Sequence, residues 1–374
     1  MTELREETYR LRREEEMLSP QLMFYPEIID RNIQRMIGLA GSAGRLWPHI
    51  KTHKCAAVVE MLMARGIRRF KAATIAEAEM CGRCGADAVI LAYPLVGPNR
   101  DRFLRLTDAF PGTEFFAIGD DLGQVRLLGG MAATAGKTVP FLADINDGMN
   151  RTGVAAGKAE GFCRAAAELP GIRFRGLHVY DGQRHEADPE ERRKRVEEDL
   201  EAVNALRDAL REDGIDAGIV VMGGTPSFPC HVKDPTVYCS PGTCVVQDRG
   251  YAESYPDLPF EIGAVLLTRV VSHPAERCFT LDLGAKAVAT DPAIPRAVVI
   301  GYEEAETVMQ SEEHWVLRLP AGCGKEVPAL GRAMYAVPKH ICPTSALYPS
   351  VPAIRDGEVV DEWEITARNR RLTI

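Results

Sequence analysis

Apolar and polar positions in the first two thirds of the chain alternate between short hydrophobic runs and longer amphipathic stretches. The long stretch 189–213 carries Val196, Leu200 and Val203 at helical spacing, whereas the short runs are typical of buried strands. The predicted strands lie at 45–50, 68–73, 88–92, 114–118, 139–145, 174–180, 218–224 and 236–240. Because strands that alternate with helices form parallel sheets, eight such units predict an α/β fold, a (β/α)8 TIM-like barrel.

The pattern changes after residue 255, where short β-like runs are separated by turns and little helix is predicted. We therefore predict two domains, a barrel over 20–255 and a mostly-β domain over 256–374. Residues 1–19 are candidates to pack on the second domain, a point that the sequence alone leaves open.

Composition narrows the class of protein. The 374 residues are 46% hydrophobic and 26% charged, as in ordinary globular proteins. The net charge of −8 argues against nucleic-acid and anionic-membrane partners. No apolar run reaches the roughly 18–20 residues of a membrane span, and the charged N-terminus lacks a signal-peptide core. With ten scattered cysteines expected as free thiols, these features predict a cytoplasmic protein.

Residues with useful chemistry follow several of the predicted strands, at the end where a barrel carries its active site. Lys51 follows the first strand, Arg151 lies in "NDGMNRTG" after the fifth, and Tyr180 ends the sixth. Two Gly-Thr turns follow the seventh and eighth strands and supply Gly223, Gly224, Thr225, Gly242 and Thr243. Each feature alone is weak, but together they predict one site.

The segment "PHIKTHK" indicates a reactive lysine. An amine held against an apolar strand beside other cations has a lowered pKa, and a neutral amine forms Schiff bases. Lys54 and the protonated histidines of this segment, His49 among them, are expected to supply that like-charge effect. Gly-Thr turns hold phosphates through backbone N–H groups and hydroxyls. A Schiff-base lysine with a phosphate cradle indicates pyridoxal 5'-phosphate (PLP).

Five segments, "PHIKTHK", "NDGMNRTGV", "GLHVYDG", "GGTPS" and "SPGTCVVQDRGY", occur in an order that resembles a known family. The chain is similar to the fold-type III PLP enzymes, which share the alanine racemase N-terminal barrel, and within them to the D-threonine aldolase and D-serine dehydratase group. The resemblance spans about residues 20–370. One departure is Gln183, where relatives often carry histidine after "YDG".

The resemblance implies a role for each residue of the barrel site. Lys51 would hold PLP and act as the acid and base at the α-carbon, with His49 counted among the catalytic candidates. Arg151 would face the phenolic oxygen of the cofactor, and Tyr180 would lie beside its ring. The phosphate would be held by Gly223, Gly224, Thr225, Gly242 and Thr243.

The resemblance also implies a divalent metal bound by His340 and Cys342 of "PKHICPT". In an extended segment residues i and i+2 point to the same side, and imidazole with thiolate favours zinc, with manganese or magnesium as alternatives. Without the resemblance, the pair would be read as a chance occurrence. A further group either lines the site or forms a salt-bridge network: Asp282, Lys286, Glu313 and His314.

These features predict a lyase that acts on small β-hydroxy-D-amino acids. A metal at the β-hydroxyl permits retro-aldol cleavage to glycine plus an aldehyde, as in D-threonine aldolases. The alternative is elimination to a 2-oxo acid plus ammonia, as in D-serine dehydratases. The overall motif pattern favours the aldolase, whereas Cys342 favours the dehydratase, because the aldolases carry aspartate there.

Two other classes remain as weaker hypotheses. A racemase needs a second base on the opposite face of the cofactor, and none is identified. A non-catalytic PLP carrier would lack the β domain and the metal pair. Family members are dimers, so the resemblance implies a homodimer.

Overall fold

The computed structural model describes residues 4–374, which divide into two compact units. The barrel unit comprises residues 36–51, 58–242 and 370–374. The β unit comprises the residues up to 35, together with 52–57 and 243–369. The chain therefore passes between the units more than once, directly after Lys51 and again after Gly242. The predicted limits of 20–255 and 256–374 stay predictions.

The α-helices of the described residues are α1 (Glu6–Tyr9), α2 (Pro26–Ala40), α3 (Ala56–Ala64), α4 (Ile75–Arg83), α5 (Asn99–Ala109), α6 (Leu122–Thr134), α7 (Ala156–Ala167), α8 (Pro189–Glu212), α9 (Phe228–His231), α10 (Arg249–Ser254) and α11 (Ile341–Ser345). Short 3-10 helices lie at Glu14–Glu16, Ala43–Arg45, Ile50–Thr52 and Thr243–Val245. None of the helices within residues 4–374 is both long and apolar enough to cross a membrane.

The strands are β1 (Gln21–Phe24), β2 (Arg69–Ala72), β3 (Ala88–Leu91), β4 (Glu114–Gly119), β5 (Val139–Asn146), β6 (Val154–Ala155), β7 (Ile172–Val179), β8 (Ile219–Met222), β9 (Val237–Cys239), β10 (Ala264–Ser272), β11 (Cys278–Leu281), β12 (Ala297–Val299), β13 (Glu306–Gln310), β14 (Trp315–Arg318), β15 (Ala333–Pro338), β16 (Ser350–Arg355) and β17 (Glu358–Glu364).

The barrel unit is built on a parallel sheet in the order β2-β3-β4-β5-β7-β8-β9, with β6 paired to β5. The first predicted strand is present only as the irregular segment 46–49. Its bridges join Leu46 to Cys239 on one edge of the sheet and His49 to Lys71 on the other. Pro48 has no N–H to donate, so a regular ladder cannot continue through this segment. The segment nevertheless closes the sheet, and the predicted barrel fold is confirmed.

The barrel strands are continuous apolar runs because both faces of a parallel sheet are covered. In β5, all residues from Val139 to Ile145 are buried. Trp47 is 1% exposed and packs edge-to-face on Phe116, with 5.6 Å between the ring centroids. Trp47 thus belongs to the barrel core, as predicted. Polar residues on these strands are exceptions within an apolar interior.

The β unit contains a mainly antiparallel sheet in the order β13-β14-β11-β10-β1-β16-β17, and β15 pairs with both β10 and β12. Strand β1 joins it by pairing antiparallel with β10. The N-terminal residues pack here too, since the Tyr9 hydroxyl donates to the Ile262 carbonyl at 3.1 Å. The Leu11 N–H donates to the Tyr335 hydroxyl at 2.9 Å. A mostly-β composition was predicted for this part of the chain and is confirmed.

Candidate active site

Lys51 lies in the 3-10 helix Ile50–Thr52, directly after the closing segment of the barrel, and is half-buried. Its backbone N–H donates to Nδ1 of His49 at 3.4 Å. Burial, followed by Lys51 and Lys71, holds the pKa of His49 well below its ordinary value. Burial likewise lowers the pKa of His53 to about 3. Both imidazoles are neutral near pH 7, so they do not supply the like-charge effect expected at Lys51.

The cation inside the barrel is Lys71 on β2, which the sequence analysis did not single out. It is 2% exposed, and its Nζ donates to Oγ of Ser240 at 2.5 Å. The same Nζ lies 5.3 Å from the centroid of the Tyr180 ring. Burial, followed by Lys51, lowers the pKa of Lys71 to about 7. The only signal in the sequence was a lysine in the middle of the predicted strand "RRFKAA".

Several of the predicted site residues lie close to the ring of Tyr180. The guanidinium carbon of Arg151 lies 4.8 Å from the centroid of its ring, and Arg151 itself is exposed. A Cβ atom added at Gly224 would lie 3.3 Å from Cε2 of Tyr180. The ring therefore has Arg151 and Lys71 within cation–π range and the Gly-Gly-Thr turn in close contact. The structure brings these predicted residues together in the barrel unit.

The Gly-Gly-Thr turn depends on glycine for its shape. Gly223 has φ +80°, and a Cβ there would lie 2.9 Å from the His231 ring. The Gly242 N–H donates to Oγ1 of Thr225 at 3.2 Å, which joins the two predicted Gly-Thr turns within the barrel unit. Thr243, the remaining phosphate candidate, follows Gly242 in the chain and is counted in the β unit. Glycine turns can bind a phosphate through backbone N–H groups. In this structure the Gly224 N–H, like that of Gly242, donates to a hydroxyl, Oγ of Ser227 at 3.0 Å.

The barrel unit also contains two buried imidazole–carboxylate pairs that were not predicted from the sequence. Nδ1 of His178 lies 2.7 Å from Oδ1 of Asp144, and Nε2 of His231 lies 2.7 Å from Oδ2 of Asp181. Burial lowers the pKa of His178 despite the opposing effect of Asp144. Among residues 4–374, Nε2 of His178 and Oδ2 of Asp144 are buried without a hydrogen-bond partner. Such unsatisfied polar atoms fit an interior that binds a polar group.

His340 and Cys342 lie in the β unit, in a segment that is not extended as predicted. His340 caps α11, and Cys342 falls in its first turn. Nδ1 of His340 lies 2.5 Å from Oδ2 of Asp291, and the Cys342 thiol donates to the Thr52 hydroxyl at 3.2 Å. Oγ1 of Thr243 lies 3.7 Å from the Cys342 sulfur. Burial opposes protonation of His340, but Cys342 and Asp291 outweigh it and raise its pKa to about 9.

The described residues contain no group of three or more His, Cys, Asp or Glu side chains arranged to hold a metal. The prediction involved only two protein ligands and stays a prediction. Imidazole and thiol side chains at His340 and Cys342, with a carboxylate beside the first, are donors that suit a zinc-like ion.

The second-domain cluster has structural contacts that account for its charges. Lys286 pairs with Glu312 at 2.8 Å and Glu313 at 3.4 Å, and all three side chains are exposed. Asp282 accepts hydrogen bonds from the hydroxyls of Thr268 at 2.6 Å and Ser19 at 2.5 Å. These contacts favour the salt-bridge and hydrogen-bond network over a role in lining a site.

Comparison with known proteins gives the class to which this fold and site belong. The chain belongs to the alanine racemase N-terminal domain family, whose family model matches residues 26–249. A family model described as a serine dehydratase domain matches residues 263–354. The predicted resemblance to fold-type III PLP enzymes is thereby confirmed.

Several of the similar proteins are lyases. A D-threonine aldolase from Arthrobacter sp is 28% identical over 329 residues, which cover 86% of this chain and 85% of that protein. A D-threo-3-hydroxyaspartate dehydratase from Delftia sp. (strain HT23) is 23% identical over 358 residues, or 90% of this chain and 94% of that protein. The crystal structure of D-threonine aldolase from Filomicrobium marinum has a TM-score of 0.88 and 29% identity, covering 96% of this chain and 98% of that one.

Proposed function

We propose that this protein is a PLP- and divalent-metal-dependent lyase that cleaves β-hydroxy-D-amino acids to glycine and an aldehyde. One observation carries the proposal. The barrel unit gathers Arg151, the Gly224 turn and the buried amine of Lys71 around Tyr180. An arginine, an aromatic face and a glycine turn are the groups that a phosphorylated pyridine cofactor requires. The two D-threonine aldolases reported above support the same activity.

Each residue of the barrel site has a role in this proposal. PLP, when bound, supplies an electron sink that acidifies the α-carbon of the amino acid. Lys51 holds the cofactor through its amine and moves the proton at the α-carbon. Its neighbour His49 stays neutral and is therefore able to accept a hydrogen bond. Arg151 binds the phenolic oxygen, and Tyr180 packs against the cofactor ring.

The phosphate would be bound at the two Gly-Thr turns. Gly223 would offer its backbone N–H to the phosphate, whereas the N–H groups of Gly224 and Gly242 donate to the hydroxyls of Ser227 and Thr225. The hydroxyl of Thr243 completes the proposed set. A side chain at Gly223 would collide with His231 and one at Gly224 would press on Tyr180, so glycine suits both positions of the turn. Backbone amides grouped in this way bind phosphate without a dedicated arginine.

The divalent metal would be bound by His340 and Cys342, and zinc is the ion that we propose. A nitrogen and a sulfur ligand favour zinc over the harder ions manganese and magnesium. A metal, when bound, supplies a Lewis acid for the β-hydroxyl of the substrate. Removal of the hydroxyl proton then leads to cleavage of the Cα–Cβ bond, whereas removal of the α-proton leads to loss of the hydroxyl.

A dehydratase is the second candidate, and two observations favour it. By the family resemblance, Cys342 would occupy a metal position at which the aldolases carry aspartate. Residues 263–354, which include this position, match the serine dehydratase domain. In this case Lys51 removes the α-proton, and the products are a 2-oxo acid and ammonia.

We further propose a homodimer that acts in the cytoplasm on small D-amino acids. The dimer rests on the family resemblance. The cytoplasmic location rests on the scattered cysteines, which fit a reducing compartment.

Product analysis tests the proposed function. The purified protein is incubated with PLP, zinc or manganese, and D-threonine or D-serine, with the L-enantiomers as controls. Glycine plus acetaldehyde from D-threonine would support the aldolase, and a 2-oxo acid plus ammonia would support the dehydratase instead. Formation of neither product by a protein that retains PLP would overturn both. The Lys51→Ala variant is expected to form no product.

A further inference from the structure

A second lysine inside the barrel unit, Lys71, lies beside Tyr180 in the proposed site but has so far been given no role there. It lies on β2 and is 2% exposed, whereas Lys51 is half-buried. Lysines are rarely buried to this extent unless a carboxylate pairs with them. Yet the hydrogen bond from its Nζ goes to the Ser240 hydroxyl at 2.5 Å. A buried amine bonded to a hydroxyl requires a separate explanation.

The contacts of Lys71 lead to the cofactor residues. Ser240, which accepts from Lys71, donates through its own hydroxyl to the Gly223 carbonyl at 2.8 Å. Gly223 begins the Gly-Gly-Thr turn proposed for the phosphate. On its other side, Nζ of Lys71 lies 5.3 Å from the centroid of the Tyr180 ring, which also contacts Arg151. Lys71 is thus linked to the Gly-Gly-Thr turn through Ser240 and lies beside the Tyr180 ring, the two features proposed to hold the cofactor.

Around Lys71, positively charged groups outnumber negatively charged ones. Those that act on it are Lys51 and Arg151, which are cationic, and Asp144 and Asp181, which are anionic. The imidazoles of His49 and His178 also face it. Three cations, with Lys71 itself, therefore stand against two carboxylates.

Both carboxylates already have partners. Asp144 is bonded to His178 at 2.7 Å, and Asp181 is bonded to His231 at 2.7 Å and to Ser227 at 2.9 Å. The hydrogen bond that Lys71 donates goes to Ser240 and to neither carboxylate, so Asp144 and Asp181 act on it only at a distance. With Lys71 protonated, the three cations exceed the two carboxylates by one positive charge, which an anionic ligand would offset.

We propose that Lys71 is a cofactor-binding residue, which provides the interior counter-charge for the anionic, phosphorylated pyridine ligand and supports its phosphate turn through Ser240. This inference rests on the proposed function and adds a second lysine to it. It has a consequence for proton binding. Because burial and Lys51 lower the pKa of Lys71 to about 7, its amine is mostly neutral at about pH 8 before the ligand binds. An anionic ligand favours the charged amine, so binding takes up a proton and weakens as the pH rises.

The test uses pyridoxine 5'-phosphate, which has no aldehyde and cannot bond covalently to any lysine. Its Kd is measured by fluorescence between about pH 7 and pH 9 for the wild type, Lys71→Met and Lys158→Met, the last being an exposed control. In the wild type and Lys158→Met, the affinity is expected to fall about tenfold over this range beyond any change in Lys71→Met. Lys71→Met is expected to bind about tenfold more weakly at pH 7. An unchanged affinity and pH profile in Lys71→Met would overturn the proposal.

A second measurement needs no variant at position 71. Calorimetry of the wild type in two buffers with different ionisation enthalpies gives the number of protons bound with the ligand. Uptake of more than about half a proton at pH 8, falling towards zero at pH 6, supports the proposal, and no uptake at pH 8 overturns it. A protein that binds neither PLP nor the analogue would contradict the proposed function itself. Binding without proton uptake contradicts only the role of Lys71.

Discussion

The guanidinium carbon of Arg151 lies 4.8 Å from the centroid of the Tyr180 ring, in the barrel unit. Because Lys71 also approaches this ring, at 5.3 Å, one aromatic side chain orients two cations. Cation–π contacts contribute about 0.5–2 kcal/mol each, depending on solvent exposure. Tyr180 is therefore expected to set the geometry of the site as well as to pack against its ligand.

Two substitutions at Tyr180 should distinguish the contribution of its ring to PLP binding from that of its hydroxyl. Tyr180→Ala is expected to weaken PLP binding about tenfold or more, because both cations lose their aromatic partner. Tyr180→Phe keeps the ring and should bind within about threefold of the wild type. The measurement is PLP retained after dialysis, with Kd from absorbance titration. Equal losses in the two variants would show that the hydroxyl, and not the ring face, is what matters.

The Gly-Gly-Thr turn offers a sensitive steric test. In Gly224→Ala the new Cβ would lie 3.3 Å from Cε2 of Tyr180, and the ring cannot move away without disturbing its contacts with Arg151. We expect about tenfold weaker PLP binding with little loss of stability. Gly157→Ala is the matched control, because its Cβ meets nothing within 4 Å and lies in α7. A Gly224→Ala protein that binds PLP like this control would contradict the proposed phosphate turn.

Lys71 should leave a signature in the pH dependence of stability of the cofactor-free protein. Its pKa in the folded protein is about 7, below the ordinary value of 10.5, so the unfolded chain binds more protons between these values. Lys71 therefore opposes folding at neutral pH, and the free energy of unfolding rises with pH from about 7 towards 10.5, by up to a few kcal/mol.

The Lys71→Met variant removes this group and should be more stable than the wild type near pH 7. The advantage should shrink as the pH approaches about 10, because the wild-type amine is then neutral when folded. Urea midpoints at several pH values measure the difference, with Lys158→Met as the exposed control. A constant offset between Lys71→Met and wild type at all pH values would count against a depressed pKa.

The metal pair is tested by metal content. His340→Ala and Cys342→Ala are each expected to lower bound zinc from about one ion per chain to well below half, because each removes one of two protein ligands. Mass spectrometry of the dialysed proteins gives the stoichiometry, and EDTA should abolish lyase activity in the wild type. Cys323→Ala removes a partly exposed cysteine elsewhere in the β unit and serves as the control. Unchanged zinc in both ligand variants would rule out this site.

The residue at position 342, as a proposed metal ligand, is also expected to influence which of the two lyase reactions occurs. Cys342→Asp would install the aspartate that the family resemblance implies for the aldolases, and it is expected to raise the ratio of glycine to 2-oxo acid formed from D-threonine. A harder oxygen ligand should also shift metal preference towards manganese. Chromatography of the two products over time measures the ratio. An unaltered ratio would mean that the metal ligand does not select the reaction.

Much of the barrel was predictable because its signals are local. Continuous apolar runs mark buried strands, and the Gly-Gly-Thr sequence marks a turn whose shape requires glycine, as Gly223 shows with φ +80°. Lys71 and His178 were missed because a single polar residue within an apolar run does not reveal whether it faces solvent, a helix or the barrel interior. Closure of the barrel decides this, and it depends on pairing between distant residues such as His49 and Lys71.

The local structure at His340 was predicted wrongly for a different reason. The segment "PKHICPT" was taken as extended, but α11 begins at Ile341 and Pro343 lies in its first turn. Proline is tolerated there because the first N–H groups of a helix have no partner within it. The interleaving of the two units along the chain has no local sequence signal, since it arises from contacts between distant segments.

The central claim, that the barrel interior binds PLP with Lys51 as the reactive amine, is tested most directly by reductive trapping. The protein loaded with PLP is treated with borohydride, which makes the bond between cofactor and lysine permanent, and is then digested and mapped by mass spectrometry. The account predicts a pyridoxyl group on Lys51 in the wild type and none in Lys51→Ala. A pyridoxyl group on Lys71 in the wild type, or on no lysine of the barrel unit, would contradict it.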